Sequence, residues 1–270
     1  KAEILKGKFE DIVNSDLSLV DKIYWLIQDV KRYGTLPFAG VARAGFIAIQ
    51  MLRSFLDKEI LSKKEYDAFL NSLNTVSKKL SVDAGILSKS RFLKIYGHLR
   101  PGTYDILSAR YDEAYNFYFD GNNVKKEKVE ESFCFSKDQR VRGEGLILSC
   151  GLDTTFDNLI LFIKESIEGR ELIKFQFTKH LSQVLKYIEE FGCSLGFSKE
   201  DLAYLDVQEV LNLYSTLDHR NAKDILKADI EKNRKFYNYT KAVKLPSVIV
   251  KKEDIYNFFL RDDDENFVTL

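Results

Sequence analysis

Proline is nearly missing from this 270-residue chain, which holds only Pro37, Pro101 and Pro246. Its scarcity leaves long helices free to run, because proline removes an N–H donor and clashes inside a helix. Cysteine is equally rare. Cys134, Cys150 and Cys193 are odd in number and show no metal-ligand spacing, which fits a reducing compartment and gives no reason to expect a bound metal. Net charge is absent as well, since Lys+Arg and Asp+Glu both number 41. That balance removes the electrostatic case for nucleic acid or an anionic membrane as main partner. No stretch reads as the roughly 20 apolar residues that cross a bilayer. The opening Lys1-Ala2-Glu3-Ile4 lacks a signal-peptide pattern. A cytoplasmic protein without nucleic-acid or membrane partners is expected. With no initiator methionine, and with Phe267-Val268-Thr269-Leu270 reading as an opening strand, the chain is expected to be a fragment of a longer protein.

What is present is the composition of a globular protein, 45% hydrophobic and 30% charged, patterned mostly at helical spacing. Leu17, Val20, Ile23, Tyr24, Ile27 and Val30 share one face of a helix, for which Gly34 reads as a C-terminal stop. Phe38 to Leu56 reads as a second helix rich in small residues. Ser62-Lys63-Lys64-Glu65 is a capping box that opens a third, weakened over Ser81 to Leu87. A short helix follows from Arg91 to Tyr96. From about Thr155 the pattern is helical again as far as Phe191, with Gly169 and Gly192 as interruptions. A capping box at Ser198 and a helix from Asp218 to Tyr239 come next, with His219 at that helix's start, and Pro246 to Val250 reads as extended. The fold expected is mainly α, a multi-helix domain spanning 1–270. A small β or irregular excursion lies around 114–141, where a sub-division of the domain is possible. Within it, the aromatics of Tyr115 to Phe119 and the turn Asp120-Gly121-Asn122-Asn123 suggest at most one hairpin, and the charged run Lys125 to Glu131 follows.

The densest cluster of chemistry-bearing side chains is Gly97-His98-Leu99-Arg100-Pro101-Gly102-Thr103-Tyr104-Asp105. Glycine and proline force a loop there, and a rigidly held loop can converge polar groups on one ligand. His98 titrates in the range of a general base, or else it satisfies a backbone carbonyl. Arg100 carries a permanent charge suited to phosphoryl oxygens, or an ordinary salt bridge, with Asp105 a natural partner. Asp105 can orient His98, accept a hydrogen bond from a substrate ammonium, or cap the element that starts at Ile106. Arg43 sits in the apolar run Val41-Ala42-Arg43-Ala44-Gly45-Phe46 and needs a partner if buried, either a substrate carboxylate, which Ala42 and Gly45 would let approach closely, or an acidic residue elsewhere in the fold. Lys174 and Thr178, four apart, share a helix face that His180 does not.

Gly97 to Tyr111 resembles the Gly-His-x-x-Pro-Gly signature of the central domains of phosphoenolpyruvate-synthase-like phosphotransferases. That group includes rifampin phosphotransferase and bacterial L-glutamine kinase. The runs Tyr33 to Phe46 and Lys174 to Ser182 are similar to the glutamine-kinase side. The resemblance implies a three-part enzyme. An ATP-grasp domain, using ATP and Mg2+, loads a histidine on a swivelling domain, and that histidine phosphorylates an acceptor held centrally. Neither a Gly-rich nucleotide stretch nor a phosphohistidine motif is present here, so the chain is expected to be the acceptor-binding part, with flanking domains as partners and no cofactor of its own. On this reading L-glutamine is phosphorylated at its side-chain amide. His98, Arg100 and Asp105 are the catalytic candidates, and Arg43, Thr103, Tyr104, Lys174 and Thr178 bind substrate. The alternatives are another acceptor, such as rifampin or a pyruvate-like molecule, and a non-catalytic helical docking module.

Overall fold

The computed structural model describes residues 2–119, 132–215, 221–246 and 248–256. Among these there is no strand. The expected turn at Asp120–Asn123, the charged run Lys125–Glu131, His219 and the Phe267–Leu270 end lie outside the described residues. The architecture is mainly α.

Helix α1 (Ala2–Val13) leads into α2 (Leu19–Asp29), which Ser18 caps by accepting the Asp21 N–H. No break follows at Gly34. A π-turn over Val30–Thr35 joins α2 directly to α3 (Leu36–Asp57). Pro37, in the first turn of α3, has no N–H and its ring would crowd the carbonyl four residues back. Widening the turn accommodates it: the Leu36 N–H donates to the Lys31 carbonyl, five residues back. Gly34 itself keeps a right-handed backbone, since among the described residues Gly151 and Gly196 are the glycines with positive φ. Those two are the real helix stops.

The third helix expected from Ser62 is two helices. Its capping box forms as expected and opens α4 (Lys63–Asn71), after which α5 (Val76–Ile86) starts afresh under a Thr75 cap. Then come α6 (Lys89–Tyr96), the loop 97–114 and the single turn α7 (Tyr115–Tyr118), where the aromatic alternation had suggested a strand. Helix α8 (Lys137–Ser149) occupies ground expected to be irregular, opened by a capping box from Ser136 and Gln139. Helix α9 (Phe156–Ser194) runs 39 residues, about 58 Å at 1.5 Å per residue. Neither Gly169 nor Gly192 interrupts it. It ends at Gly196, φ +89°, with the Gly196 and Phe197 N–H groups donating to the Cys193 and Gly192 carbonyls. The remaining helices are α10 (Lys199–Leu202), α11 (Val207–Tyr214) and α12 (Ala222–Ala242). Pro246 to Val250, read as extended, forms no strand among its described residues.

Helix α9 is the spine. Its N-terminal half, with Leu159, Ile163 and Ile167, packs with α3, α4 and α8 around Leu52, Phe55 and Phe69. Its C-terminal half, with Val184, Tyr187 and Ile188, packs with α2, α10, α11 and α12 around Ile23, Leu26 and Leu226. Phe177 joins Leu5 and Val30 between the two clusters. The α2–π–α3 run lies antiparallel to α9, with Gly34 against Phe177, Val41 against Gly169 and Gly45 against Ser166. By length and composition the continuous run Leu19–Asp57 is also apolar enough to cross a membrane, contrary to the expectation from the sequence. Only 17% of its most apolar window is buried, with Leu36, Phe46 and Ile47 exposed on α3.

A Cβ added at Gly34 would lie 2.7 Å from the Phe177 Cβ, so the two helices would have to part. Gly34→Ala should destabilise the fold by about 1–3 kcal/mol, the usual cost of overpacking. Gly40 faces open space, so Gly40→Ala should be neutral or stabilising by up to about 1 kcal/mol through helix propensity. Urea denaturation of both variants beside the parent checks the pair.

Candidate functional site

The 97–114 loop is held by its own backbone and by α9. The Tyr111 N–H donates to the Leu99 carbonyl (2.8 Å) and Asp112 N–H to the Gly97 carbonyl (3.1 Å), closing the loop's two ends together. Inside the loop, Asp105 Oδ1 accepts the Leu107 N–H at 2.9 Å and Ser108 Oγ accepts the Gly102 N–H at 3.1 Å. Three buried polar side chains then fix it to α9. Arg100 donates to Ser182 Oγ (3.4 Å) and back to the Asp105 carbonyl (3.3 Å). Arg110 forks onto Asp112 at 2.9 and 2.6 Å and reaches Gln183 Oε1 at 3.5 Å. The ring of His98 meets Phe175 edge-on, centroids 4.9 Å apart.

This placement defines what each candidate can do. His98 is buried, its Nε2 has no hydrogen-bond partner, and burial pushes its pKa down to about 3, with Lys179 and Arg110 adding repulsion. It is a neutral imidazole within the packing. Arg100 is buried too, and desolvation lowers its pKa, against the opposing pull of the Glu113 carboxylate. Its guanidinium contacts a carbonyl and a hydroxyl, and no carboxylate among the described residues lies within salt-bridge distance. Asp105 is exposed and serves its own turn; its hydrogen bond goes to Leu107. His180 faces α1, edge-on to Phe9 with Nδ1 3.3 Å from the Gln176 carbonyl, and burial lowers its pKa to about 4.

A cavity of about 530 Å³ opens between α3, α5, α9 and the loop. Thr103, Lys174 and Thr178 line it together, as do Leu99 and Phe175. Helix α3 contributes Phe38, Ala42 and Phe46, and α5 contributes Val76, Ser77 and Leu80. The α5 wall is fixed by two glutamates of α9. Glu168 accepts the Asn74 N–H at 2.8 Å, and Glu171 accepts both the N–H and the hydroxyl of Ser77 at 3.1 Å. Arg43 and Tyr104 are elsewhere. Arg43 is exposed on α3, where water satisfies its charge, and Tyr104, 71% exposed, faces a different groove. Gly45, expected to admit a ligand, instead receives the stem of Arg170, whose Cδ would lie 3.5 Å from an added Cβ.

Arg170 is the cavity-lining cation that sequence reasoning missed. It lines the cavity one turn before Lys174, and neither makes a hydrogen bond or ion pair to another described residue. The signal was present in the Arg170, Lys174, Thr178 spacing of i, i+4, i+8 on one helix face. The cavity thus pairs apolar walls with two cations that have no protein partner, two threonine hydroxyls and one carboxylate, Glu171, which is already engaged by Ser77. That combination suits a small anion with an apolar body. Among the described residues no three His, Cys, Asp or Glu side chains come together as a metal site would require.

The buried histidines make stability pH-dependent. Both are neutral when folded and protonate near pH 6.5 when unfolded, so the unfolded chain binds more protons between about pH 6.5 and the folded values. Stability is therefore full above that window and is lost as the pH falls through it. Urea denaturation at about pH 7.5 and pH 5 should show a loss on the order of 2 kcal/mol per histidine. His98→Leu and His180→Leu should each flatten the dependence. Comparison of the chain with known families, curated proteins and solved structures finds no match.

Proposed function

We propose that this chain is the acceptor-binding domain of an ATP-dependent phosphotransferase, and that the cavity beside the 97–114 loop holds the acceptor. The observation that carries the reading is the pair Arg170 and Lys174, cations without protein partners opening onto a space walled by the loop. A carboxylate would satisfy both, and bidentate pairing to a guanidinium fixes its orientation. L-Glutamine is the acceptor that the resemblance of the loop implies. Its α-carboxylate would sit on Arg170 and Lys174, with Thr103 and Thr178 able to receive its amide.

The phosphoryl group would come from ATP, with Mg2+, through a phosphohistidine on a flanking domain of the same cytoplasmic polypeptide. His98 is given a different part here from that of a base. Packed behind Phe175 and neutral, it holds the loop against α9, and the proton of the acceptor amide would pass to the imidazole of the carrier histidine as its bond to phosphorus breaks. Arg100 likewise secures the loop through Ser182 and the Asp105 carbonyl. The size and apolar walls of the cavity favour a second reading within the same class, a larger acceptor that carries a carboxylate on an apolar body.

Calorimetric titration checks both readings. L-Glutamine should bind this chain, and Arg170→Met and Lys174→Met should each weaken it about tenfold, the scale of one charge-assisted contact. Arg43→Met should leave binding unchanged. Tighter binding of an aromatic carboxylate than of glutamine, with the same dependence on Arg170, would select the larger acceptor. Absence of binding by either overturns the assignment of this cavity.

A further inference from the structure

A second cavity, of about 410 Å³, lies on the other side of the same loop, between it and the α2, α9, α10 and α11 helices. Its floor is apolar, made by side chains such as Ile27, Val184, Ile188 and Leu202, all buried. Its charge has one sign. Asp105 and Asp206 stand at its rim, both exposed, and among the described residues no Lys, Arg or His lines it. Each carboxylate uses one oxygen locally, Asp105 Oδ1 on the Leu107 N–H and Asp206 Oδ1 on the Gln208 N–H, both at 2.9 Å. The other oxygen of each is left for a ligand. The Tyr104 side chain, 71% exposed, stands beside them.

From this geometry we infer that the groove is a second small-molecule site, for an apolar compound bearing a primary ammonium group. The apolar body would lie on the α9 floor, and the ammonium would be placed between the Asp105 and Asp206 carboxylates. Its charge preference is opposite to that of the Arg170–Lys174 cavity, and its existence does not depend on the function proposed for that cavity. A single short loop walls both sites, Leu99 and Thr103 facing one and Tyr104, Asp105 and Ile106 the other.

The test is an NMR titration of the isotope-labelled chain with 2-phenylethylamine, using 2-phenylethanol and phenylacetate as neutral and anionic controls. The amine should shift the backbone amides of Tyr104–Ile106 and Ala203–Val207 with a Kd in the millimolar range or below, about 1 mM. The alcohol should bind at least about tenfold more weakly, the factor that one charge-assisted contact provides. Asp105→Asn combined with Asp206→Asn keeps both local N–H acceptors, so the fold should persist while the preference for the amine disappears. Ala203→Phe, at an exposed rim position, should block all three probes without altering either carboxylate. Equal affinity for amine and alcohol, amine shifts confined to other residues, or undiminished amine binding in the double asparagine variant would each overturn the proposal.

Discussion

A close approach of two long antiparallel helices, at Gly34 and Phe177, sets how the α2–α3 run lies on α9. A hydrogen in place of a side chain lets the π-turn press onto the aromatic ring, with a would-be Cβ only 2.7 Å from the Phe177 Cβ. From that point the helices run together in one register, Val41 on Gly169 and Gly45 on Ser166. Small residues on α3 keep the backbones near each other, where dispersion and apolar burial both act. The π-turn has a local cause in Pro37 and a tertiary use. It carries α2 into α3 without a break, so one run can line both halves of α9.

Because α9 is fully helical for 39 residues, anything fixed to its side inherits its rigidity. The 97–114 loop is fixed by three buried polar residues, His98, Arg100 and Arg110, against Phe175, Ser182 and Gln183. Burial of such groups is costly unless they are paired. Arg110 has its aspartate, whereas Arg100 relies on a carbonyl, a hydroxyl and the field of nearby carboxylates. The loop's attachment consumes the side chains that sequence spacing singles out as reactive. The loop turns Leu99 and Thr103 to one cavity and Tyr104, Asp105 and Ile106 to the other.

Much of the helix pattern was legible because it is written locally. The capping boxes at Ser62 and Ser198 form as their spacing implies, and of the expected stripe Val20, Ile23, Ile27 and Val30 are buried, while Tyr24 is half-buried and Leu17, ahead of the helix, is exposed. Three of the errors share one cause. Gly34, Gly169 and Gly192 read as breaks, yet each is a helical position where a neighbouring side chain comes close. A glycine that ends a helix and one that admits a neighbour look alike in one dimension. The aromatics of Tyr115 to Phe119 suggested a strand, but they pack as a cluster on Phe92 and Tyr111 in a single helical turn.

By itself the sequence determined the class of fold, most helix starts, and a rigid loop centred on His98, because caps, periodicity and Gly-Pro chemistry act over a few residues. It also placed Lys174 and Thr178 on one face with His180 off it. Only the tertiary structure decided which polar groups are spent on packing and which remain free. Arg43, read as a buried cation, is exposed, while Arg170, passed over on α9, opens onto the cavity without a partner. The physical reason is that exposure and pairing depend on which helix lies across the way, and that neighbour stands more than a hundred residues distant along the chain.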